Sequence, residues 1–241
     1  MNPLIYGHRG ASAYAPENTI SAFRLAQEMG CHGLEFDVQL TKDGIPVVIH
    51  DEKMDRTTDK RGQVSTYTWN GIQSADAGSW KGKRWKGEKI PSLEEVLAEF
   101  NGMYLNIELK NSEVPYPGLE EKVVSLIDSY CDSKKVIVSS FNHESVRRIK
   151  KLAPHIRTGT LYDREPANLF EYLQSLGGDA VHPSYRLVTK EKVEQFHKLG
   201  FQINTWTVNR AFSMKRILQM GVDGIITNYP DRLKSLITTN G

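Results

Sequence analysis

Leu34-Glu35-Phe36-Asp37-Val38 alternates apolar and acidic side chains. Successive side chains of a strand point to opposite faces, so Leu34, Phe36 and Val38 share a face suited to packing against helices, and the two carboxylates share the other. Leu105-Asn106-Ile107-Glu108-Leu109-Lys110 repeats the pattern, with Asn106, Glu108 and Lys110 opposite the three apolar residues. Working outward from these two, short apolar runs at 4–8, 34–40, 103–110, 136–140, 158–161, 179–183, 201–207 and 224–227 alternate with amphipathic, helix-like stretches. In the first such stretch Ile20, Phe23, Ala26 and Met29 recur at helical spacing, with Asn18 and Thr19 available as caps and Gly30 just past the end. About eight βα units in succession predict an α/β fold closing as a (β/α)8 TIM barrel.

The 241 residues fit one such barrel, which commonly uses about 250, so a single domain over 1–241 is expected. Lys+Arg 31 against Asp+Glu 29 leaves a formal +2, too balanced for bulk attraction to nucleic acid or a membrane surface, so a charged ligand must be handled locally. Cys31 and Cys131 lie far apart without CxxC spacing, which indicates neither a disulfide framework nor a thiolate metal site. The polar His8-Arg9-Gly10 arrives too early to leave room for an export signal, and no run reaches the roughly 18 apolar residues of a spanning helix. A cytoplasmic protein without stable membrane insertion and without a nucleic-acid partner is expected.

One segment departs from the alternation. Thr41-Lys42-Asp43-Gly44 carries an Asp-Gly turn signal between 38–40 and 45–50, so a hairpin is predicted whose second limb returns the chain to the barrel rim at His50. The stretch that follows, about 51–92, is rich in Gly, Lys, Thr and Trp and too long for an ordinary connection. It reads as a small inserted subdomain after the second barrel strand.

Ionised groups inside a barrel are tolerable only near its wet end, and barrel enzymes place their sites at the C-terminal ends of the strands. Glu35, Asp37 and Glu108 converging there would repel one another unless a cation neutralises them. Their hard oxygens, with no Cys partner, favour one divalent cation, Mg2+ or Ca2+, with open positions for water or substrate. The same charges admit a second arrangement, a solvated ion network pairing Glu35 and Asp37 with Arg9 and Lys110. The coincidence of both strands favours the metal.

His8 ends the first strand and His50 the hairpin limb, so two imidazoles can share acid and base work at the same rim. Arg9, a planar fork, and Lys110, a mobile point charge, suit an anionic, phosphate-like ligand. Phe141 and Trp206 either wall the pocket against the organic part of a substrate or are ordinary core aromatics. Gly10 is read as turn chemistry, and His32, His143, His155, His182 and His197 as surface or satisfied residues.

Taken in order, His8-Arg9-Gly10, Pro16-Glu17-Asn18-Thr19, Glu35-Phe36-Asp37-Val38, Lys42-Asp43-Gly44, His50-Asp51, Asp76-Ala77-Gly78-Ser79-Trp80, Ile90-Pro91-Ser92-Leu93, Glu108-Leu109-Lys110, Trp206 and Asp223-Gly224-Ile225-Ile226-Thr227-Asn228-Tyr229-Pro230 resemble the glycerophosphodiester phosphodiesterase family, nearly end to end. The resemblance implies a barrel that hydrolyses glycerophosphodiesters, such as deacylated phospholipid head groups, to glycerol 3-phosphate and an alcohol. It implies a divalent metal on Glu35, Asp37 and Glu108, general acid and base in His8 and His50, phosphate binding by Arg9 and Lys110, and attack by the glycerol 2-hydroxyl to give a cyclic phosphate. Two alternatives remain: a phospholipase C- or D-like enzyme on intact lipids, and a non-catalytic barrel binding a phosphorylated metabolite.

Overall fold

A computed structural model of the chain describes residues 2–239. Strand β1 (Leu4–His8) leads into helix α1 (Ile20–Glu28), which Thr19 caps by accepting from the Ala22 N–H and which buries Ala22, Phe23 and Ala26. There follow β2 (Gly33–Leu40), β3 (Pro46–Val48), α2 (Trp69–Gln73), α3 (Leu93–Phe100), β4 (Tyr104–Leu109), α4 (Leu119–Tyr130), β5 (Val136–Ser140) and α5 (His143–Leu152). The chain ends with β6 (Arg157–Tyr162), α6 (Leu169–Ser175), β7 (Ala180–Pro183), α7 (Lys190–Lys198), β8 (Gln202–Thr205), α8 (Ala211–Leu218), β9 (Gly224–Thr227) and α9 (Pro230–Thr239).

Parallel pairing runs β1-β2-β4-β5-β6-β7-β8-β9 and returns from β9 to β1, so the sheet closes into a TIM barrel with α1 and α3–α8 between its strands and α9 after the last. Strand edges shift by a residue or two from the sequence expectation. The largest change is in the run 201–207, where β8 stops at Thr205 and Trp206 keeps only an isolated bridge to Ser184.

The alternation in β2 and β4 does what the pattern predicts. Leu34, Phe36, Val38, Leu105, Ile107 and Leu109 are all buried in the main apolar core. Phe36 packs on Phe23 of α1 with ring centroids 5.6 Å apart, and Phe23 packs on Phe100 of α3 at 5.8 Å. Truncating Phe36 to Ala would cost about 3–5 kcal/mol.

The hairpin is present: Val38, Gln39 and Leu40 pair antiparallel with Val48, Val47 and Pro46. Its loop closes between Thr41 and Ile45, with Gly44 at φ +77, so it is a three-residue connection rather than a two-residue Asp-Gly turn. Residues 51–92 make 3-10 turns at Val64–Thr66 and Lys83–Trp85 around α2. With β3 they share a separate apolar cluster that includes Val47, Ile49, Met54, Val64, Ile72 and Ile90. Ser92 then starts α3 with a capping box to Glu95. Among the described residues no helix is long and apolar enough to cross a membrane.

Candidate active site

Strand register builds the site. His8 lies opposite Glu35 across β1–β2, Glu35 opposite Asn106 and Asp37 opposite Glu108 across β2–β4. Side chains at paired positions share a face, so the three carboxylates meet inside the barrel near its C-terminal rim. One oxygen from each of Glu35, Asp37 and Glu108 lies within 4.8 Å of the others, and all three residues are buried.

Three buried acids so close cannot all stay ionised without countercharge. Burial, reinforced by the charges of Asp37 and Glu108, pushes Glu35 well above the usual carboxylate range. Burial and Asp37 push Glu108 up as well. Asp37 goes the other way: against its own burial, the positive charge of Arg9 leads in holding it down to about 2. Asp37 Oδ1 is buried and has no hydrogen-bond partner. An unsatisfied anionic oxygen, two neighbours inclined to hold protons and a wholly oxygen donor set fit a hard divalent cation that would displace a proton on binding.

The cations expected to serve phosphate are here engaged by acids. Arg9 Nη1 donates to Glu17 Oε1 at 2.7 Å and its Nε lies 3.3 Å from Asp37 Oδ2. Lys110 Nζ donates to Glu108 Oε1 at 3.0 Å and lies 3.3 Å from His50 Nε2. Metal-site geometry and ion-pair network therefore coexist, and the pairs Arg9–Asp37 and Lys110–Glu108 are the ones that form. Arg9 sits at φ +56, a conformation side chains seldom take, and its backbone N–H is held by the Glu35 carbonyl at 2.7 Å. Gly10 follows at φ +82, where a Cβ would come within 2.6 Å of the Ala22 backbone, so glycine lets this turn lie against α1.

Both histidines spend Nδ1 on an oxygen; Nε2 of His8 faces Glu35 and Nε2 of His50 faces Lys110. Asn228 Oδ1 is 2.6 Å from His8 Nδ1, and Asp51 Oδ1 is 2.6 Å from His50 Nδ1. Those oxygens accept, so each Nδ1 carries a hydrogen, which leaves Nε2 of each ring as the atom that can take or give a proton. His8 Nε2 lies 3.9 Å from Glu35 Oε2, and burial, then Arg9, push its pKa down to about 3. A cavity of about 90 Å³ opens between His8, Arg9, Glu35, His50, Glu108 and Trp206. Phe141 meets Trp206 edge-on with centroids 5.4 Å apart, and Lys110 Nζ lies 5.9 Å from its ring.

Three residues escaped the sequence reading. Asn18 is no helix cap: it stands at φ +58 and its amide donates to Asp37 Oδ2 at 2.9 Å. Glu17 joins Arg9 to Arg56, and Arg56 also grips Asp51 at 2.7 and 2.9 Å, so a chain of alternating charges runs from His50 through Asp51, Arg56, Glu17 and Arg9 to Asp37. The Glu17-Asn18 pair beside Arg9 was the available signal. The remaining histidines are held elsewhere, for example His32 by the Ile5 N–H, His143 by Tyr172 and His182 by Asn204.

Residues 8–232 match the model of the glycerophosphoryl diester phosphodiesterase family. A glycerophosphodiester phosphodiesterase of Caldanaerobacter subterraneus subsp. tengcongensis is 44% identical over 100% of both chains, and one of Bacillus altitudinis is 42% identical over 95% of both. The structure of an Oleispira antarctica phosphodiesterase in complex with the product sn-glycerol-3-phosphate superposes with a TM-score of 0.89 at 32% identity, covering 98% of this chain and 97% of that one. With a match that begins at His8 and takes in both acidic strands, this chain belongs to the glycerophosphoryl diester phosphodiesterase family.

Proposed function

We propose that the chain is a cytoplasmic enzyme that hydrolyses water-soluble glycerophosphodiesters to sn-glycerol 3-phosphate and an alcohol, with one divalent cation, Mg2+ or Ca2+. The observation that carries this is the junction of two kinds of group in one cavity: three buried carboxylates on adjacent strands, and two imidazoles, His8 and His50, that line the same cavity. The family's activity, and the product bound in the Oleispira antarctica relative, support the substrate class. Residues 51–92 are read as an inserted subdomain whose Arg56 braces one histidine.

Glu35, Asp37 and Glu108 would hold the cation, which when bound supplies Lewis-acid polarisation of the oxygens around it. Arg9 and Lys110, anchored by carboxylates, present fixed positive charge to a phosphate group. One imidazole takes the proton of the glycerol 2-hydroxyl as its oxygen attacks phosphorus, and the other, protonated, gives its proton to the departing alcohol. A five-membered cyclic phosphate results. The two rings then exchange roles: the second removes a proton from the attacking water and the first returns its proton to the 2-oxygen, restoring both. Trp206 and Phe141 wall the organic part of the substrate.

Release of glycerol 3-phosphate from glycerophosphocholine and glycerophosphoethanolamine, set beside hydrolysis of phosphatidylcholine bilayers, tests the assignment. Turnover of the soluble diesters is expected, with none for a diester lacking the 2-hydroxyl. No product from any soluble diester, or faster turnover on bilayers, would overturn it.

A further inference from the structure

His50 does not sit on a barrel strand. It stands on a corner after β3, one residue past the last backbone bond from β3 to β2, which runs from the Ile49 N–H to the Asp37 carbonyl at 3.0 Å, and a side chain continues the hold from there. Gln39 occupies that place. Its side chain is fully buried, and its amide nitrogen lies 3.0, 2.9 and 2.8 Å from the carbonyl oxygens of Ile49, His50 and Asp51. Three consecutive carbonyls thus converge on one NH2 group, which has two hydrogens to share among them. The three carbonyls can only accept, which settles which end of the amide is nitrogen, and the Gln39 side-chain oxygen accepts from the Tyr116 hydroxyl at 2.8 Å. Tyr116 is itself buried, and burial pushes its phenol up to about 12, so it remains a donor across the working pH range.

Gln39 lies two residues from Asp37 on β2, and Tyr116 lies in the loop after β4, the strand that carries Glu108. The amide therefore ties the corner bearing His50 to both strands bearing the acids. We infer that Gln39, oriented by Tyr116, is a positioning residue that sets the distance between His50 and the carboxylate cluster, acting on the reaction only through the corner at 49–51 that carries His50. The inference rests on the proposed role of His50.

Gln39→Met keeps similar bulk and removes the amide, leaving three carbonyls and the Tyr116 hydroxyl without their partner. Misplacing a reacting group by an ångström costs about 100-fold, so kcat of Gln39→Met is expected to fall by about 10- to 100-fold. KM should change by less than about threefold, because Arg9 and Lys110 are untouched. Tyr116→Phe, which deletes one oxygen, should lower kcat in the same direction by a smaller factor and serves if Gln39→Met does not fold. The decisive measurement introduces each substitution into His50→Ala. A residue that works through His50 has nothing left to position there, so the further loss should shrink to within about twofold. An equal fold-loss in both backgrounds, or wild-type kcat in both variants, would overturn the inference. Parental turnover by His50→Ala alone would instead overturn the role of His50 on which it depends.

Discussion

His8 and His182 lie in the same barrel, and in both burial is the leading cause that pushes the imidazole pKa down from 6.5 to about 3. They differ in everything else. His8 keeps an edge open to the cavity, its side chain 16% exposed, with Glu35, Arg9 and Asn228 around it. His182 is completely buried, accepts from Asn204 at 3.0 Å and has no partner for Nδ1. Gly159 makes room for its ring, since a Cβ there would stand 2.6 Å from Nε2. On the proposed roles, a depressed pKa does not by itself mark a working histidine; access, and charged neighbours that can exploit a proton transfer, do.

The comparison breaks most simply on activity. His8→Ala should lower turnover by about 10²–10⁴-fold, as should His50→Ala, whereas His182→Gln should stay within about threefold of the parent. Steady-state rates on glycerophosphocholine decide this, and a large loss in His182→Gln would erase the distinction. Stability sharpens it from the other side. Neutral His182 is favoured only in the folded state, so the unfolded chain binds the extra proton and stability is lost as pH falls from about 6.5 toward 3. The full loss is on the order of a few kcal/mol, and His182→Gln should flatten that acid limb in urea unfolding curves taken across the range.

A smaller effect concerns His50, whose ring is held by a brace rather than by a strand. Arg56→Gln frees Asp51 and should cost about 10-fold in kcat, while Arg56→Lys, which cannot grip Asp51 and Glu17 at once, should restore little. Full activity in Arg56→Gln would remove the charge chain from the account. The smallest effect is on the acids. Glu35 has a raised pKa, so in the metal-free protein its contribution is lost as pH rises from the ordinary carboxylate value through the folded one. Glu35→Gln should therefore raise the Tm measured in chelator at neutral pH, by about 2–4 °C for each kcal/mol of relieved repulsion. The same variant should forfeit the Tm increase that a divalent cation gives the parent.

Much of this was legible along the chain because it follows from period-two alternation. Leu34 to Val38 and Leu105 to Lys110 declare their inner and outer faces without reference to anything distant, and the strand order then brings Glu35, Asp37 and Glu108 together. The hairpin turn likewise placed His50 at the rim. What could not be read locally are contacts set by how the loops fold over the barrel. Asn18 carries the composition of a helix cap and is diverted by a left-handed turn. Arg56 reaches Glu17 across 39 positions of sequence. Gln39 alternates like any strand residue, and its three carbonyl partners appear only once the corner at 49–51 has wrapped around it.

The central claim, that two neighbouring strands grip one ion for diester hydrolysis, is tested most directly by turnover of glycerophosphocholine in protein stripped with chelator and titrated with Mg2+ or Ca2+. Glycerol 3-phosphate formation should be absent at the start, rise to saturation with one of the two cations, and stay absent in Asp37→Asn. Undiminished turnover in excess chelator, or a cation response unchanged in Asp37→Asn, would contradict it.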